Sequence, residues 1–335
     1  MNAPASHEGE IRLNKVTRQW VIIAPLRGDR PRQFAKLDGK GTVPPHDPQC
    51  PFCPGNETRL TRIVQETGTG SDGWQTRVVD NKFPALRPDG SAERIRDGIY
   101  LKMSALGRHE VVIETPRHDR QPGAMTAGEV EAVVDACHRR YRDLMDQEGH
   151  MLILIFRNHG RRAGTSLVHP HSQIVATRMV PQPVRRQEDE ARRYFDEWSR
   201  CLLCRILDFE SRSGARLVYE NDAFIGFVPF AAEVPFEVWI APRRHQADFG
   251  SLDGHGKARL AEALQWVLKR LADKLGDPDY NYAVNSATRH LSGNAPHLHW
   301  YLRITPRLTT RAGFELGTGI SINPSLPEAD AAFLR

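Results

Sequence analysis

The amino-acid sequence predicts an α+β protein that arose by tandem duplication, with antiparallel sheets flanked by long helices. The first observation is that one ordered set of motifs occurs twice along the 335 residues. The second is a long amphipathic helix pattern in each half, with apolar residues recurring at helical spacing. The third is a set of short strand-like runs between turn residues, without the regular strand–helix alternation of a parallel sheet.

The first copy begins with a pair of cysteines and ends with a pair of histidines. Its helix carries Val130, Val134 and Cys137 along one face, which predicts a helix packed against a sheet. In chain order the copy contains the Cys pair at 50–53, strands at 77–81 and within 110–118, the helix over roughly 126–147, a strand at 151–156, and the His-Pro-His segment at 169–171.

The second copy repeats this order. Glu110 and His118 are eight positions apart, and so are Glu237 and His245. The matching segments are the Cys pair at 201–204, strands at 216–221 and within 237–245, a helix over roughly 254–275, a Tyr-rich strand, and the His-Leu-His segment at 297–299. We therefore expect one domain over residues 1–185 and a second of the same fold over 186–335, connected by the polar stretch 181–200.

Composition and charge are those of an ordinary soluble globular protein. Apolar residues make up 40% of the chain, charged residues 26%, and the net charge is +5. No apolar run approaches the length of a membrane span, and the polar N-terminal residues lack a secretory h-region. We expect a cytoplasmic protein with no membrane partner, whose mild basic excess suits phosphate-bearing ligands.

Four of the five cysteines form two C-x-x-C pairs, which predict metal sites. In the first half Cys50 and Cys53 supply two thiolates, and His118 and His169 supply two imidazoles for a tetrahedral Zn²⁺ site. Four protein ligands leave no open position, so such a site would be structural. The alternative, a redox C-x-x-C, lacks the expected helix start in a strand–helix–strand setting.

The duplication predicts a second metal site in the C-terminal half. Its ligands would be Cys201, Cys204, His245 and a histidine from the pair His297/His299. We choose His299, because aligning it with His169 places Tyr301 where the first half has His171. The second copy would then keep its metal ligand and lose the nucleophile, although His297 stays open as the ligand.

The loop before the first His-Pro-His segment carries the predicted chemistry. His169, His171 and Gln173 alternate along an extended segment and therefore share one face. Gly164, Thr165 and Ser166 offer backbone N–H groups and hydroxyls to phosphate oxygens. Metal would anchor His169 and leave His171 free as a nucleophile toward phosphorus, with its other ring nitrogen donating to a carbonyl. Gln173 would donate an amide hydrogen bond to a phosphate oxygen.

These residues resemble the galactose-1-phosphate uridylyltransferase family, within the histidine-triad superfamily, from about residue 12 to the C-terminus. The resemblance implies two histidine-triad-like domains, zinc on Cys50, Cys53, His118 and His169, and a homodimer whose active sites use both subunits. It implies catalytic roles for His171, Gln173 and Ser166. The substrate contacts expected from the family motifs and the loop are Arg27, Arg30, Asn81, Asn158, Gly164, Thr165, Ser166 and Gln173.

By resemblance the reaction is a ping-pong nucleotidyl transfer. His171 attacks the α-phosphorus of a nucleotide sugar, expels a sugar 1-phosphate, and passes the nucleotide to a second phosphate acceptor. The main interpretation is a hexose-1-phosphate uridylyltransferase. The alternative is the ADP-glucose phosphorylase branch of the family, which transfers AMP to inorganic phosphate and to which the segment 313–324 and the second C-x-x-C pair are similar. Three departures set the chain apart from the uridylyltransferases of galactose metabolism. They are Ser172, Thr165 and the segment 313–324, where Glu315 and Asn323 are the candidates to contact sugar hydroxyls.

Two alternative functions lie outside this activity. A two-zinc nucleic-acid-binding protein would use the basic charge, but the thiol pairs lack the histidine spacing of zinc fingers. Basic residues also do not cluster with aromatic residues as in single-strand binders. A family member that only binds nucleotides is disfavoured by the intact loop 164–173. We therefore expect nucleotide sugars and phosphate compounds as partners, and not nucleic acid.

Overall fold

One ten-stranded antiparallel sheet runs through the computed structural model, which describes residues 9–27, 43–68, 73–293 and 295–335. In chain order the strands of the molecule are β1 (Glu10–Leu13), β2 (Trp20–Ile23), β3 (Ile63–Thr67), β4 (Thr76–Asp80), β5 (Arg94–Asp97), β6 (Tyr100–Met103), β7 (Gly107–Ile113), β8 (Leu152–His159), β9 (His171–Thr177), β10 (Leu217–Glu220), β11 (Phe224–Phe227), β12 (Val238–Pro242), β13 (Tyr280–Asn285), β14 (Tyr301–Pro306) and β15 (Ser321–Asn323). The helices are α1 (Ala127–Asp146), α2 (Gln182–Trp198), α3 (Leu202–Ser213), α4 (Gly254–Leu275), α5 (Gly313–Thr318) and α6 (Pro327–Leu334).

The strand order repeats from one half of the large sheet to the other. The first half runs β3-β4-β7-β9-β8, and the second half runs β10-β11-β12-β14-β13. The two halves meet where β8 pairs antiparallel with β13, with Phe156 opposite Ala283 and His159 opposite Tyr280. The predicted α+β class with antiparallel sheets is confirmed, and the two copies share a single sheet.

Helices α1 and α4 lie together on one face of this sheet, one from each copy. Thr126 caps α1 in a reciprocal capping box with Glu129, and the Asp253 side chain caps α4 through the N–H of Gly256. The predicted helix ranges 126–147 and 254–275 agree with the observed bounds to within one residue. The main apolar core fills the space between these helices and the sheet, and includes strand residues of both halves.

Alternation along the strands sends every second side chain to the opposite face. On β4 and β7, Val78 and Val112 enter the main core, whereas Val79 and Val111 pack around Cys50 and its neighbours. In the second half, α3 covers this opposite face. Both Cys/His groups therefore lie on the side of the sheet away from α1 and α4.

Three smaller parts complete the fold. β1, β2 and β15 form a separate three-stranded sheet, and β5 and β6 form an exposed hairpin. The connecting stretch 181–200 is mostly helix α2, so the predicted division between residues 185 and 186 falls inside a helix and stays a prediction. None of the helices in the described ranges combines the length and apolar character that a bilayer-crossing segment requires.

Candidate active site and metal-binding clusters

The first Cys/His cluster brings together side chains from three separate segments. Cys50 and Cys53 lie in the turn region before β3, His118 follows β7, and His169 precedes β9. All four are buried, and one ligand atom of each lies within 4.8 Å of the others. This group could hold a metal ion at the position that the sequence predicts.

Hydrogen bonding determines which ring nitrogen of His169 faces the thiols. Nε2 lies 2.8 Å from the carbonyl oxygen of Thr115 and donates to it. Nδ1 is left to face Sγ of Cys53 at 3.6 Å and Sγ of Cys50 at 3.7 Å. Burial lowers the pKa of His169 to about 4. The ring is therefore neutral at physiological pH, which is the form that binds metals.

The second cluster has the same internal arrangement. Nδ1 of His299 lies 3.3 Å from Sγ of Cys204, while its Nε2 donates to the carbonyl oxygen of Pro242 at 2.9 Å. Nδ1 of His245 lies 3.4 Å from the same sulfur. The members are Cys201, Cys204, His245 and His299. The structure thus brings His299, and not His297, to the thiol pair.

His171 is the first residue of β9, and its ring lies on the face of the sheet that carries the first cluster. It is paired with Ile113 of β7, its ring centroid lies 5.5 Å from that of Phe52, and it is 7% exposed. Nδ1 donates to the carbonyl oxygen of His169 at 2.8 Å, so Nε2 is the nitrogen with a free lone pair. Burial lowers the pKa of His171 and keeps the ring neutral.

A buried polar network lies behind the backbone of His171, on the helix side of the sheet. Arg157 donates to the His171 carbonyl oxygen at 3.1 Å and pairs with Glu114. Ser172 donates to Glu114 at 2.6 Å, and its oxygen lies 2.8 Å from the hydroxyl of Tyr282. The Ser172 side chain therefore faces away from the His171 ring, and its departure from the family pattern concerns packing.

The second half of the chain holds the loop that leads to His171. Asn281 on β13 donates to Oδ1 of Asn158 and to the carbonyl oxygen of Ala163, both at 2.8 Å. The backbone N–H of Arg162 donates to Asp279 at 2.7 Å. Because Asn158 accepts through its oxygen, its amide NH₂ is the end left to meet a ligand. These contacts fix the start of the segment that carries Gly164, Thr165 and Ser166.

Backbone conformation shows why glycine is needed where this loop leaves β8. Gly160 has φ 83° and ψ 162°, a region that residues with a side chain almost never occupy. A Cβ there would also collide with the carboxylate of Asp279. Gly164 is left-handed and open to solvent, and Ser166 is exposed beside it. Within the loop the N–H groups of Gly164 and Thr165 donate to the carbonyl oxygens of Arg161 and Gly160 and are not free as the sequence predicts, whereas the Ser166 side chain is exposed.

Gln173 lies two residues after His171 on the same face, where it contacts a histidine that sequence reasoning missed. Nε2 of His109 lies 2.8 Å from Oε1 of Gln173 and 3.1 Å from Nδ2 of Asn81. Asn81 follows β4 and accepts the N–H of Phe83. Strand alternation within 109–113 would have placed His109 on this face, but the sequence does not give the register between β7 and β9.

Comparison with known proteins adds a match that covers more than half of the chain. Residues 3–181 match the family described as galactose-1-phosphate uridyl transferase, N-terminal domain. The chain belongs to the galactose-1-phosphate uridyl transferase family. As in the rest of this family, its activity is nucleotidyl transfer.

Individual relatives represent two named activities within the galactose-1-phosphate uridyl transferase family. ADP-glucose phosphorylase of Arabidopsis thaliana is 33% identical over 329 residues, covering 97% of this chain and 92% of its own length. Galactose-1-phosphate uridylyltransferase of Thermotoga maritima is 29% identical over 335 residues, covering 97% and 98%. The crystal structure of the Arabidopsis phosphorylase with bound ADP-glucose superposes with a TM-score of 0.83 at 31% identity and 98% coverage of both chains.

The structure does not bring four of the predicted substrate contacts into this group of side chains, three because of their observed partners or position and one because it is not described. Arg27 ends a short 3₁₀ turn after β2, and Arg30 lies outside the described residues. The Glu315 carboxylate accepts the backbone N–H groups of Ala312 and Ile322. Asn323 is buried on β15 and donates to the carbonyl oxygen of Ala232. Glu315 and Asn323 thus hold local structure, and their contact with a sugar stays a prediction.

In the second half of this family member, a packed aromatic occupies the position that corresponds to His171. Tyr301 occupies the first position of β14, as His171 does on β9, and its ring stacks on Trp239 with centroids 4.3 Å apart. Burial raises the pKa of Tyr301, so its phenol stays protonated. Arg303 takes the place of Gln173 and pairs with Glu237. The second copy therefore has a Cys/His cluster but no counterpart of His171.

Proposed function

We propose that this chain transfers the adenylyl group of ADP-glucose to inorganic phosphate through a covalent adduct on His171. The observation that carries the proposal is the free Nε2 of His171, next to the loop 164–166 and to Gln173. The similarity to a phosphorylase of Arabidopsis thaliana, in sequence and in structure, supports adenine as the base and phosphate as the acceptor. We therefore favour adenylyl transfer, the alternative raised by the sequence, over its main interpretation of uridylyl transfer.

In the first half-reaction the Nε2 lone pair attacks the α-phosphorus of ADP-glucose. A P–N bond forms as the P–O bond to glucose 1-phosphate breaks, and the leaving group departs with that electron pair. The Nδ1–H bond to the His169 carbonyl oxygen stabilises the positive charge that develops on the ring. Gln173 and Ser166 would donate to the phosphoryl oxygens as negative charge develops there.

In the second half-reaction an oxygen of inorganic phosphate attacks the same phosphorus. The P–N bond breaks, its electron pair returns to Nε2, and ADP leaves. The neutral His171 is regenerated for the next cycle. No general base is required on the nucleophile, because burial holds the pKa of His171 below its ordinary value and the ring is already neutral.

We infer that Zn²⁺ is the metal of both Cys/His clusters, because two thiols and two imidazoles are its preferred ligands. Zn–S and Zn–N bond lengths at tetrahedral angles give an S···N separation of about 3.6 Å. The separations of 3.5 to 3.7 Å in the first cluster fit this value. With four protein ligands the ion would hold His169, and through its carbonyl His171, in place without binding substrate.

Initial rates on two nucleotide sugars test the proposed function. With inorganic phosphate as acceptor, the protein should release glucose 1-phosphate and ADP from ADP-glucose, and His171→Ala should not. The same assay with UDP-glucose and galactose 1-phosphate tests uridylyl transfer, which similarity to the Thermotoga maritima enzyme supports. Turnover of UDP-glucose alone would contradict adenylyl transfer.

The homodimer and the cytoplasmic location stay predictions. A measurement of molecular mass in solution would test the homodimer.

A further inference from the structure

His109 lies on β7 beside the proposed active site, where it bonds to Gln173. Its two ring nitrogens have different neighbours. Nδ1 lies 3.1 Å from the backbone nitrogen of Ala85, and Nε2 lies 2.8 Å from Oε1 of Gln173. The Ala85 N–H can only donate. Nδ1 must therefore accept, and the proton of the neutral ring is on Nε2.

The neighbours of Nε2 determine the direction of the second hydrogen bond. Asn81 also approaches Nε2, at 3.1 Å, but through its amide nitrogen, because its oxygen accepts the N–H of Phe83 at 2.8 Å. An N–H group on His109 cannot donate to that amide nitrogen. The Gln173 oxygen is therefore the acceptor, and the Gln173 amide has one orientation, with its oxygen toward His109 and its NH₂ away from it.

We propose that His109 is a positioning residue that fixes the Gln173 amide with its NH₂ group toward the transferred phosphoryl group. This inference rests on the proposed function, in which Gln173 donates to a phosphoryl oxygen. Without the His109 bond the amide could rotate and present its oxygen, which would repel the developing negative charge. Ala85 and Asn81 both lie in the chain that follows β4, so that segment sets the tautomer of His109 and thereby the direction of the Gln173 donor.

A double-mutant cycle tests the proposal on the full-length protein. His109→Ala should slow adenylyl-enzyme formation at saturating ADP-glucose by about 10- to 100-fold, the usual effect of removing a partner that orients a functional group. Gln173→Ala should slow it as much or more, and the double variant should be no slower than Gln173→Ala alone. The matched control His255→Ala, an exposed histidine paired with Asp222, should leave the rate unchanged. Additive losses in the double variant would overturn the proposal.

A second measurement on the unaltered protein does not depend on activity. Long-range ¹H–¹⁵N spectra of histidine-labelled protein, assigned with His109→Gln, should show His109 protonated at Nε2, and that signal should shift in Gln173→Ala. A proton on Nδ1 would overturn the proposal even if a variant failed to fold. If the unaltered protein forms no adenylyl adduct while His109 shows the expected tautomer, the proposed function fails and the hydrogen-bond assignment stands.

Discussion

Nδ1 of His171 lies 2.8 Å from the carbonyl oxygen of His169, whose own ring belongs to the first Cys/His cluster. A single hydrogen bond, from the ring of the proposed nucleophile His171 to a backbone carbonyl, thus links it to the cluster. The bond leaves Nε2 as the only ring nitrogen able to attack phosphorus. We predict that phosphorus in the trapped adduct is coupled to Nε2 in ³¹P–¹⁵N spectra of histidine-labelled protein. Coupling to Nδ1 would contradict this geometry.

The two Cys/His clusters should differ in their effect on activity. Cys50→Ala and Cys201→Ala should each remove one of the two metal equivalents. Cys50→Ala should also slow transfer by about 100-fold, since the proposed ion would hold His169 and so orient His171. Cys201→Ala should lower the thermal midpoint with little effect on rate, because its half has Tyr301 in place of a nucleophile. Elemental analysis measures the metal content, circular dichroism the thermal midpoint, and kinetics the transfer rate. Equal effects of the two substitutions on the rate would contradict the predicted difference between the clusters.

Gly160 should tolerate substitution less well than another glycine with positive φ. Gly276→Ala places a side chain in open space at φ 73° and should lower the free energy of unfolding by about 1–2 kcal/mol. Gly160→Ala should lower it by more, because the new methyl group also displaces Asp279. Only Gly160→Ala should slow transfer, as Asp279 holds the loop before His171. Urea unfolding and initial rates measure both, and equal losses of stability would exclude the collision with Asp279.

The buried carboxyl of Asp330 on α6 should make stability depend on pH. Burial raises its pKa to about 6. Hydrogen bonds from Phe236 and Ser325 lower the pKa, but their effect is smaller than that of burial. A raised pKa means that the folded state favours the protonated acid, so stability falls as pH rises from about 4 through 6. Asp330→Asn keeps an acceptor and does not titrate. Between about pH 5 and 7.5, the free energy of unfolding of the unaltered protein should fall relative to the variant by roughly 1–2 kcal/mol. If this difference stays constant over that pH range, the raised pKa of Asp330 is contradicted.

The duplicated plan could be predicted because each copy carries its own local signals. C-x-x-C pairs, the Glu-to-His spacing and the long helices do not depend on knowing the strand pairing. Alternation also placed His171 and Gln173 on one face. The same rule, applied to Ser172, would have shown that its side chain faces the helices.

Contacts across the join between the copies could not be predicted in this way. Asn281 reaches Asn158 only because β8 pairs with β13 in one register. The sequence of either strand alone does not determine which distant strand it pairs with, or in which register. His109 meets Gln173 for the same reason, across β7 and β9. The sequence also did not indicate that Glu315 and Asn323 serve local backbone hydrogen bonds, because those bonds depend on how α5 and β15 fold back.

Covalent labelling tests the central claim most directly. The protein would be mixed separately with ADP-glucose and UDP-glucose radiolabelled at the α-phosphorus, quenched, and digested with protease. The account predicts an acid-labile, base-stable label from ADP-glucose on the peptide that contains His171, absent in His171→Ala and discharged by inorganic phosphate. Label from UDP-glucose alone would contradict the adenylyl assignment. No label from either substrate, on folded protein with both metal clusters filled, would contradict the nucleophilic role of His171.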